Sequence, residues 1–252
     1  KFTVEGEVTK VAEQALNFAN ITTSPKRVCA SVPVSRRAVA QAAFDIIGFL
    51  TFKFTKGWAM FRALHVYAHG AYRDVIGPFA TVTVKELTLD QNIGKNLAKE
   101  VAEMYDLGFE GDPEMIMDKT TEVDLKFTKL IPGTTDSNRT VVQDGQCVGY
   151  RYKVSPYIDY AIASNGIATK DAGRYIGIGH FGYLNEQVYA DGIEFNVDGT
   201  SQENFDRNVI ALGMGLDYSL VELSSKVNGG NNNKPQAFKL IKLIAPASTS
   251  DI

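Results

Sequence analysis

A glycine-rich segment carries the most recognisable chemical motif in the sequence. Gly177-Ile-Gly-His-Phe-Gly182 has the spacing G-x-G-x-x-G and follows the apolar pair Tyr175-Ile176. In a dinucleotide site a helix begins at these glycines, so that its N-terminal amides face the pyrophosphate. Here the chain soon reaches the turn dipeptide Asp191-Gly192, and the residues after that turn are rich in strand formers. We therefore expect glycines in strands or bends, and a nucleotide-binding oxidoreductase stays a remote alternative.

Histidines and acidic residues offer little further chemistry. His65 and His69 lie four positions apart, a spacing that can present two ligands to one metal. The third histidine is His180. No Glu lies between the pair, and cations near a helix C-terminus are favoured by the helix dipole, so no metal is needed. Glu100 and Glu103 are predicted to lie on a solvated helix face. We expect no catalytic residue, no metal and no cofactor.

The two cysteines do not suggest a disulfide framework. Cys29 and Cys147 lie far apart and form no C-x-x-C pair. This pattern fits a reduced, cytosolic setting. Position 1 is Lys rather than Met, so we expect that the natural protein has a further segment upstream.

Composition indicates a folded chain with a core. The 252 residues (27.6 kDa) are 44% apolar and 22% charged, enough for one large domain or two small ones. There are 26 Lys and Arg against 29 Asp and Glu, a net charge of -3, which argues against a dedicated nucleic-acid-binding protein. The most apolar stretch, residues 42–64, contains four charged residues and is predicted to be a buried or half-buried helix rather than a membrane span.

The elements that would position functional residues begin with an extended N-terminal segment. Residues 1–34 have strand-like composition, and two extended segments joined across residues 17–26 would form a long hairpin. An isolated hairpin is marginal in water, so its support is expected to come from another chain.

A long helix is predicted next. Ser35 can cap it, Gly70 can stop it near His69, and at 1.5 Å per residue the ~33 residues would span roughly 50 Å. Its apolar stripe comprises Ala43, Ile47, Leu50, Phe54, Trp58 and Phe61.

A second helix and a β-rich half complete the prediction. Asp90 can cap the helix, whose stripe is Ile93, Leu97, Val101 and Met104. From residue 141 onward, short β-prone runs alternate with hairpin-type turn dipeptides beginning at Asp144, Asn165, Asp191, Asp198 and Asn228.

The order of these segments resembles that of tailed-bacteriophage major capsid proteins with the Hong Kong 97 fold. The resemblance is strongest in Val11-Ala-Glu-Gln-Ala-Leu-Asn17 and in Lys26-Arg-Val-Cys-Ala-Ser-Val-Pro-Val-Ser-Arg36. In that family, an Ala-Glu-x-Ala-Leu stretch near the tip of the E-loop precedes a Val-Pro-Val-Ser-Arg-like strand that opens the spine helix.

Weaker similarities occur further along in the family's order, so that the resemblance covers about residues 4 to 244. They lie at residues 149–154, 175–182, 192–197, 204–208 and 235–242. The first resembles Leu-x-Gly-x-Pro-Val, although Arg151 or Tyr152 replaces the proline. The second resembles the family's Gly-Asp-Phe segment and accounts for the glycine motif.

The resemblance implies an α+β fold: a Hong Kong 97-like capsid fold with an E-loop hairpin, a long spine helix, a peripheral domain and an axial domain. The expected parts are an N-terminal segment and E-loop (1–34), a peripheral domain with the spine helix (35–85 and 186–220), an axial domain (86–185 and 221–245) and a C-terminal tail (246–252).

The resemblance also implies a non-enzymatic structural function. We expect a protein that self-assembles into the hexamers and pentamers of an icosahedral phage head around double-stranded DNA, in the virion and after assembly in the host cytoplasm. Neighbouring capsomers would be contacted through the E-loop. Portal, scaffolding and decoration proteins are further expected partners, DNA would be contacted only non-specifically, and no membrane is involved. An encapsulin-type nanocompartment shell is the alternative.

The E-loop contacts between subunits are assigned by the resemblance to Glu13, Gln14, Leu16, Asn17 and Phe18. The founding member of the family cross-links its shell through a lysine, an asparagine and a catalytic glutamate. In this sequence Asn17 stands at the lysine position, Asn208 retains the asparagine and Gly215 stands at the glutamate position. Two of the three groups are missing, so we expect a shell held together non-covalently.

Overall fold

The computed structural model of the chain describes residues 25–42, 45–70, 77–80, 82–106, 109, 111–131, 139–163, 167–222 and 237–246. Its helices are α1 (Arg36–Gln41), α2 (Ile46–Tyr67), α3 (Ile93–Asp106), α4 (Lys119–Phe127) and α5 (Gln202–Asp206), with 3-10 turns at Pro156–Asp159 and Phe181–Tyr183. Its strands are β1 (Lys26–Ser35), β2 (Val84–Thr88), β3 (Glu114–Met117), β4 (Val142–Gln143), β5 (Gln146–Cys147), β6 (Tyr150–Val154), β7 (Tyr160–Ile162), β8 (Ala168–Lys170), β9 (Arg174–Gly179), β10 (Leu184–Asp198), β11 (Val209–Glu222) and β12 (Phe238–Ile244).

A three-stranded antiparallel sheet carries helix α2 on one face. The strand order is β1-β11-β10, with Lys26 opposite Tyr218 at one end of β1 and Ser35 opposite Val209 at the other. Alternate residues of β11 are buried beneath the helix: Leu212, Met214, Leu216, Tyr218 and Leu220. Successive side chains of a strand point to opposite faces of the sheet, so these alternate residues form an apolar face toward α2. The opposite face, which points away from α2, is called the outer face below.

The prediction of one continuous long helix is wrong, because the structure has two separate helices, α1 and α2. Ser35 caps α1 as expected, its hydroxyl accepting a hydrogen bond from the Ala38 amide at 3.0 Å. However, α1 ends at Gln41, and α2 begins only after Asp45, with Ala42 in extended backbone. Helix α2 ends at Tyr67, slightly before the expected His69. The apolar stripe could not reveal this interruption, because it begins only at Ala43 and contains no residue of α1.

A seven-stranded mixed sheet forms the second structural unit of the chain. Its order is β2-β12-β9-β3-β6-β5-β4, and β12 pairs parallel with β2 and antiparallel with β9. One core cluster joins β3, β9 and β12 to helices α3 and α4, while Phe79, Ile116, Ile158, Phe238 and Leu240 belong to a second cluster. A further pair, β7 and β8, forms a separate hairpin.

The second predicted helix is confirmed. Helix α3 buries its entire expected stripe, Ile93, Leu97, Val101 and Met104, at 0% exposure, and Asp90 accepts a hydrogen bond from the Asn92 amide at 2.8 Å. The β-rich C-terminal half is confirmed too. Helix α4 was not predicted, although Asp118 caps it by accepting hydrogen bonds from the amides of Thr120 and Thr121.

The turn dipeptides have mixed outcomes. Asp144-Gly145 forms the expected hairpin turn between β4 and β5. Asp191-Gly192 does not make a hairpin, because β10 continues through it with only a register shift between Tyr189 and Glu194 against β11. Residues 228–229 lie outside the described residues. Among the described residues, no helix is long and apolar enough to cross a membrane.

Candidate assembly surfaces

The contact between α2 and β11 is built from aromatic rings. Trp58 is 8% exposed, and its ring lies 5.1 Å from that of Tyr218 at 88°, an edge-to-face geometry. Phe61 stacks on Trp58 at 5.4 Å, and Phe54 is buried one turn earlier. Helix α2 is therefore fixed to the sheet along one face over several turns.

An ion pair between Arg62 of α2 and Glu186 of β10 lies next to this contact, toward the C-terminal end of α2. The Arg62 guanidinium donates two hydrogen bonds to the Glu186 carboxylate, at 2.6 and 2.5 Å, and the Tyr218 hydroxyl donates to the same carboxylate at 3.0 Å. Hydrogen bonding from Arg62 holds the pKa of Glu186 below its usual range, while burial raises the pKa of Tyr218. The carboxylate thus stays charged and ties α2 to β10 and β11.

Strand β1 lies at an edge of its sheet. Among the described residues it pairs only with β11, and most of its residues are exposed. Its outer face borders a shallow concavity of about 280 Å³ whose lining includes Cys29, Ser31, Asn196 and Gly213. An exposed strand edge suits pairing with another polypeptide.

Gly215 lies on this outer face, at the position that the resemblance aligns with the cross-linking glutamate of the family's founding member. It pairs with Cys29 of β1 and with Glu194 of β10. A Cβ at this position would lie 2.6 Å from a terminal nitrogen of the Arg27 guanidinium, which also pairs with Asp217 at 3.5 Å. The space that a glutamate side chain would require is therefore occupied by a cation.

Asn208, the retained asparagine, lies at the turn that leads into β11. Its φ of 53° is in the left-handed region, which Asn tolerates better than most residues. Its carbonyl accepts a hydrogen bond from the Arg36 amide at 3.1 Å, which joins the start of α1 to this turn. The observed contact gives Asn208 a structural role.

The five predicted E-loop contact residues cannot be placed. Glu13, Gln14, Leu16, Asn17 and Phe18 lie outside the described residues. Their assignment stays a prediction, and so does the division of the chain into four parts.

The prediction that the glycines of the G-x-G-x-x-G motif lie in strands or bends is confirmed. Gly177 and Gly179 lie in β9, which is followed by a 3-10 turn at Phe181–Tyr183 and not by an α-helix. A Cβ at Gly177 would lie 2.6 Å from the Phe79 ring, and one at Gly179 would overlap the Phe238 ring. Core aromatic rings, and not a phosphate, require these glycines.

The prediction that Glu100 is solvated is also wrong. Glu100 is 3% exposed and is paired with Lys85 of β2 and Lys239 of β12, while Glu103 is exposed and lies 2.7 Å from Lys239. The two lysines come from neighbouring strands, so the cluster ties α3 to the sheet. A buried carboxylate is tolerated when cations neutralise it.

His69 lies at the junction between the end of α2 and the β7–β8 hairpin. His69 forms a β-bridge with Ala161, its amide donating to the Tyr160 carbonyl at 3.0 Å, and its ring lies 3.4 Å from Asp171. Gly70 follows with φ of 87°, and a Cβ there would lie 2.9 Å from the Ile162 carbonyl oxygen. His65 instead donates to the Phe61 carbonyl within α2. Within the described part of the chain, no group of three His, Cys, Asp or Glu residues could hold a metal.

Solved structures with the same architecture are phage particles and shells. The protein in the structure of Gordonia phage Cozz has a TM-score of 0.64 and 16% identity, covering 98% of this chain and 78% of that one. The capsid protein of the native GTA particle has a TM-score of 0.61 and 16% identity, covering 96% and 80%. The holo-SrpI encapsulin complex from Synechococcus elongatus PCC 7942 has a TM-score of 0.53 and 12% identity, covering 86% and 73%. No family model and no curated protein matches the sequence.

These likenesses establish the fold. The chain is an α+β protein with the Hong Kong 97-like capsid fold, as the resemblance implied. The fold has two structural units that can carry assembly surfaces. One is the three-stranded sheet with α2, and the other is the seven-stranded sheet with α3 and α4.

Proposed function

We propose that the chain is a structural major capsid protein, which self-assembles into the hexamers and pentamers of an icosahedral phage head enclosing double-stranded DNA. The observation that carries this proposal is the shared fold, which extends over 98% of this chain in one phage protein and 96% in a capsid protein. The role is non-enzymatic and the location is the virion capsid.

The two structural units suit two roles in a shell. We assign the peripheral domain, with its spine helix, to residues 35–85 and 186–220, and the axial domain to residues 86–185 and 221–245. Helix α2 would then brace the sheet of β1, β10 and β11, while the seven-stranded sheet would meet its neighbours at the capsomer centre. Residues 1–34 would contain the E-loop, and residues 246–252 the tail.

The E-loop proposal is supported by the position of β1. This strand follows residues 1–24 in the sequence and, within the part of the chain that the structure describes, pairs only with β11. We propose that Glu13, Gln14, Leu16, Asn17 and Phe18 contact a neighbouring subunit. Apolar residues in this segment would be covered by that neighbour, which would stabilise the assembly.

Electron microscopy of the purified protein tests the proposal. Negatively stained wild-type protein is expected to show closed shells or ring-shaped capsomers, because the subunit's exposed strand edge needs a partner. Deletion of residues 14–24 should abolish shells while leaving soluble subunits or capsomers. Deletion of the tail, residues 247–252, serves as the control and should leave shells intact. Normal shells from the first deletion would refute the E-loop contact.

An encapsulin-type nanocompartment is the second candidate, supported by the likeness to the SrpI complex at a TM-score of 0.53. The contents of particles isolated from the natural source separate the two. Nuclease-resistant double-stranded DNA would support the phage head, and a co-purifying enzyme without DNA would support the nanocompartment.

A further inference from the structure

Positive charge is concentrated in the part of the chain that forms β1, α1 and α2. Residues 25–70 contain seven Lys and Arg but only one acidic residue, whereas the rest of the chain contains 19 Lys and Arg and 28 Asp and Glu. The net charge of -3 therefore conceals a strongly cationic segment. Such an asymmetry favours an acidic partner at this part of the surface.

Several of these cations are already used within the subunit. Arg27 pairs with Asp217 at 3.5 Å, and Arg62 pairs with Glu186. Lys53 and Lys56 differ from them: both are exposed, and within the described residues neither has a carboxylate within 4.0 Å. The Lys53 ammonium instead lies 5.2 Å above the ring centre of Phe49.

Apolar side chains surround these two lysines on the outward face of α2. Phe52 is 63% exposed and Met60 is 49% exposed, and Phe52, Lys56 and Met60 recur every four residues along one side of the helix. Phe54 and Trp58 lie on the opposite side, buried against β11. Helix α2 thus has two apolar faces, of which the sheet covers one.

We propose that the outward face of α2, defined by Phe52, Lys53, Lys56 and Met60, binds an amphipathic helix with acidic flanks supplied by a partner polypeptide. The four-residue spacing forms a ridge of about 12 Å, the kind of surface that a second helix packs against. Acidic flanks would pair with the two lysines while the apolar residues of both helices become covered.

The combination of charged and apolar side chains on this face argues against two other occupants. Two copies of α2 packed face to face would bring four lysines together in one interface, and such like-charge contacts are strongly unfavourable. Duplex DNA would satisfy the lysines but would leave Phe52 and Met60 in water. An acidic amphipathic helix satisfies both kinds of side chain.

A designed peptide tests the proposal on the isolated subunit. The probe is a labelled 18-residue helical peptide with leucines on one face and glutamates beside them, and the control peptide carries lysines in place of the glutamates. Fluorescence anisotropy at low salt should show saturable binding of the acidic peptide, at least about tenfold tighter than that of the basic one. Equal binding of the two peptides would overturn the proposal.

Matched variants locate the binding surface. Lys53→Glu combined with Lys56→Glu should weaken acidic-peptide binding at least about tenfold, and Phe52→Ser should do so without reversing a charge. Lys95→Glu combined with Lys99→Glu makes the same charge change on exposed residues of α3 and should leave binding unchanged.

Two outcomes of these variants would overturn the proposal. One is an equal loss of peptide binding in both lysine pairs, which would show only a general charge effect. The other is tight binding of a 30-base-pair duplex, lost in the Lys53/Lys56 variant, in a protein that does not bind the peptide. Because the measurement uses subunits and not shells, its failure is distinct from failure of the proposed capsid function.

Discussion

Gly179 shows how a single residue discriminates between two functions. Alanine at this position would abolish nucleotide binding in a dinucleotide enzyme, but here its Cβ would overlap the Phe238 ring in the core. We expect Gly179→Ala to lower the free energy of unfolding by about 1–3 kcal/mol, as overpacking usually does. Denaturant unfolding checks this, with Gly182→Ala as a control because no atom lies within 4 Å of a Cβ there.

Wild-type stability equal to that of Gly179→Ala would show that Phe238 moves aside at little cost. Binding of a nicotinamide or flavin nucleotide to the wild type, lost in Gly179→Ala, would instead support the enzyme alternative.

Asp159 is a buried carboxyl group whose titration should be visible in stability. It is 2% exposed and accepts a hydrogen bond from the Tyr175 amide at 3.1 Å. Burial, together with the negative charge of Asp118, raises the pKa of Asp159 to about 6, from an ordinary value of 3.8. Because the folded state holds this proton more tightly than the unfolded state, the contribution of Asp159 to stability is fully present below about pH 4 and is lost as the pH rises through about 6.

We expect Asp159→Asn to remove this pH dependence while keeping an acceptor for the Tyr175 amide. Between about pH 4 and about pH 7, the wild type should lose up to about 3 kcal/mol of unfolding free energy relative to the variant. Urea unfolding of both proteins across this range measures the difference, which cancels the contributions of the histidines. Parallel stability curves would contradict the raised pKa.

Residue-level environments were the least predictable from sequence. Glu100 lies on a helix with polar neighbours, and its burial depends on Lys85 and Lys239, which reach it from two strands. Sequence spacing along α3 contains no information about those partners. The Arg27 guanidinium over Gly215 likewise depends on the pairing of β1 with β11.

At the scale of elements, periodicity succeeded where one face of a helix meets one core. The stripe of α3 predicted its buried residues correctly. In the α2 stripe, Phe54 and Trp58 are buried against β11 and Leu50 and Phe61 are partly buried there, whereas Ile47 is 40% exposed. Helix α4 escaped prediction because only Thr121, Glu122 and Leu125 of its nine residues are buried, too few for a recognisable stripe. The apolar pattern likewise gave no indication that α1 ends at Gln41 and that Ala42 and Asp45 have extended backbone.

Trp58 tests the importance of α2 as the brace of its sheet. Its ring contacts both Phe61 and Tyr218, so Trp58→Ala should lower the free energy of unfolding by about 3–5 kcal/mol. This is a large part of the roughly 5–15 kcal/mol that domains commonly possess, so misfolded or assembly-defective subunits are expected. Calorimetry and electron microscopy provide the two measurements.

The control for this change lies on the same helix. Phe52 is 63% exposed, and Phe52→Ala should change stability by no more than about 0.5 kcal/mol. Equal destabilisation by the two variants would mean that both faces of α2 are covered in the isolated subunit.

At the scale of the whole molecule, the overall order of segments was informative although each motif was weak. The Hong Kong 97-like fold was indicated by the order of four segments: the extended N-terminal segment, the helix, the mixed block and the returning strands. No single motif spacing indicated it. The glycine motif is the clearest example of a weak motif. Its spacing alone resembles a nucleotide site, but the structure places it in β9 of the seven-stranded sheet and in the 3-10 turn that follows. Two contacts were inferred from surfaces left uncovered in the subunit: one with another copy, next to the edge strand β1, and one with a partner helix, on the outward face of α2.

The proposed shell should be held together without covalent bonds between subunits. Asn17 has no amine, and at the position expected for the base, Gly215 has no side chain and faces the Arg27 guanidinium. Shells boiled in detergent with a reductant should therefore release a single band near 27.6 kDa. The reductant matters because Cys29 is exposed and could form adventitious disulfides. As a control, unboiled shells should remain too large to enter the gel. A ladder of oligomers that survives boiling and reduction would show that another lysine, such as Lys10 or Lys26, forms a bond between subunits.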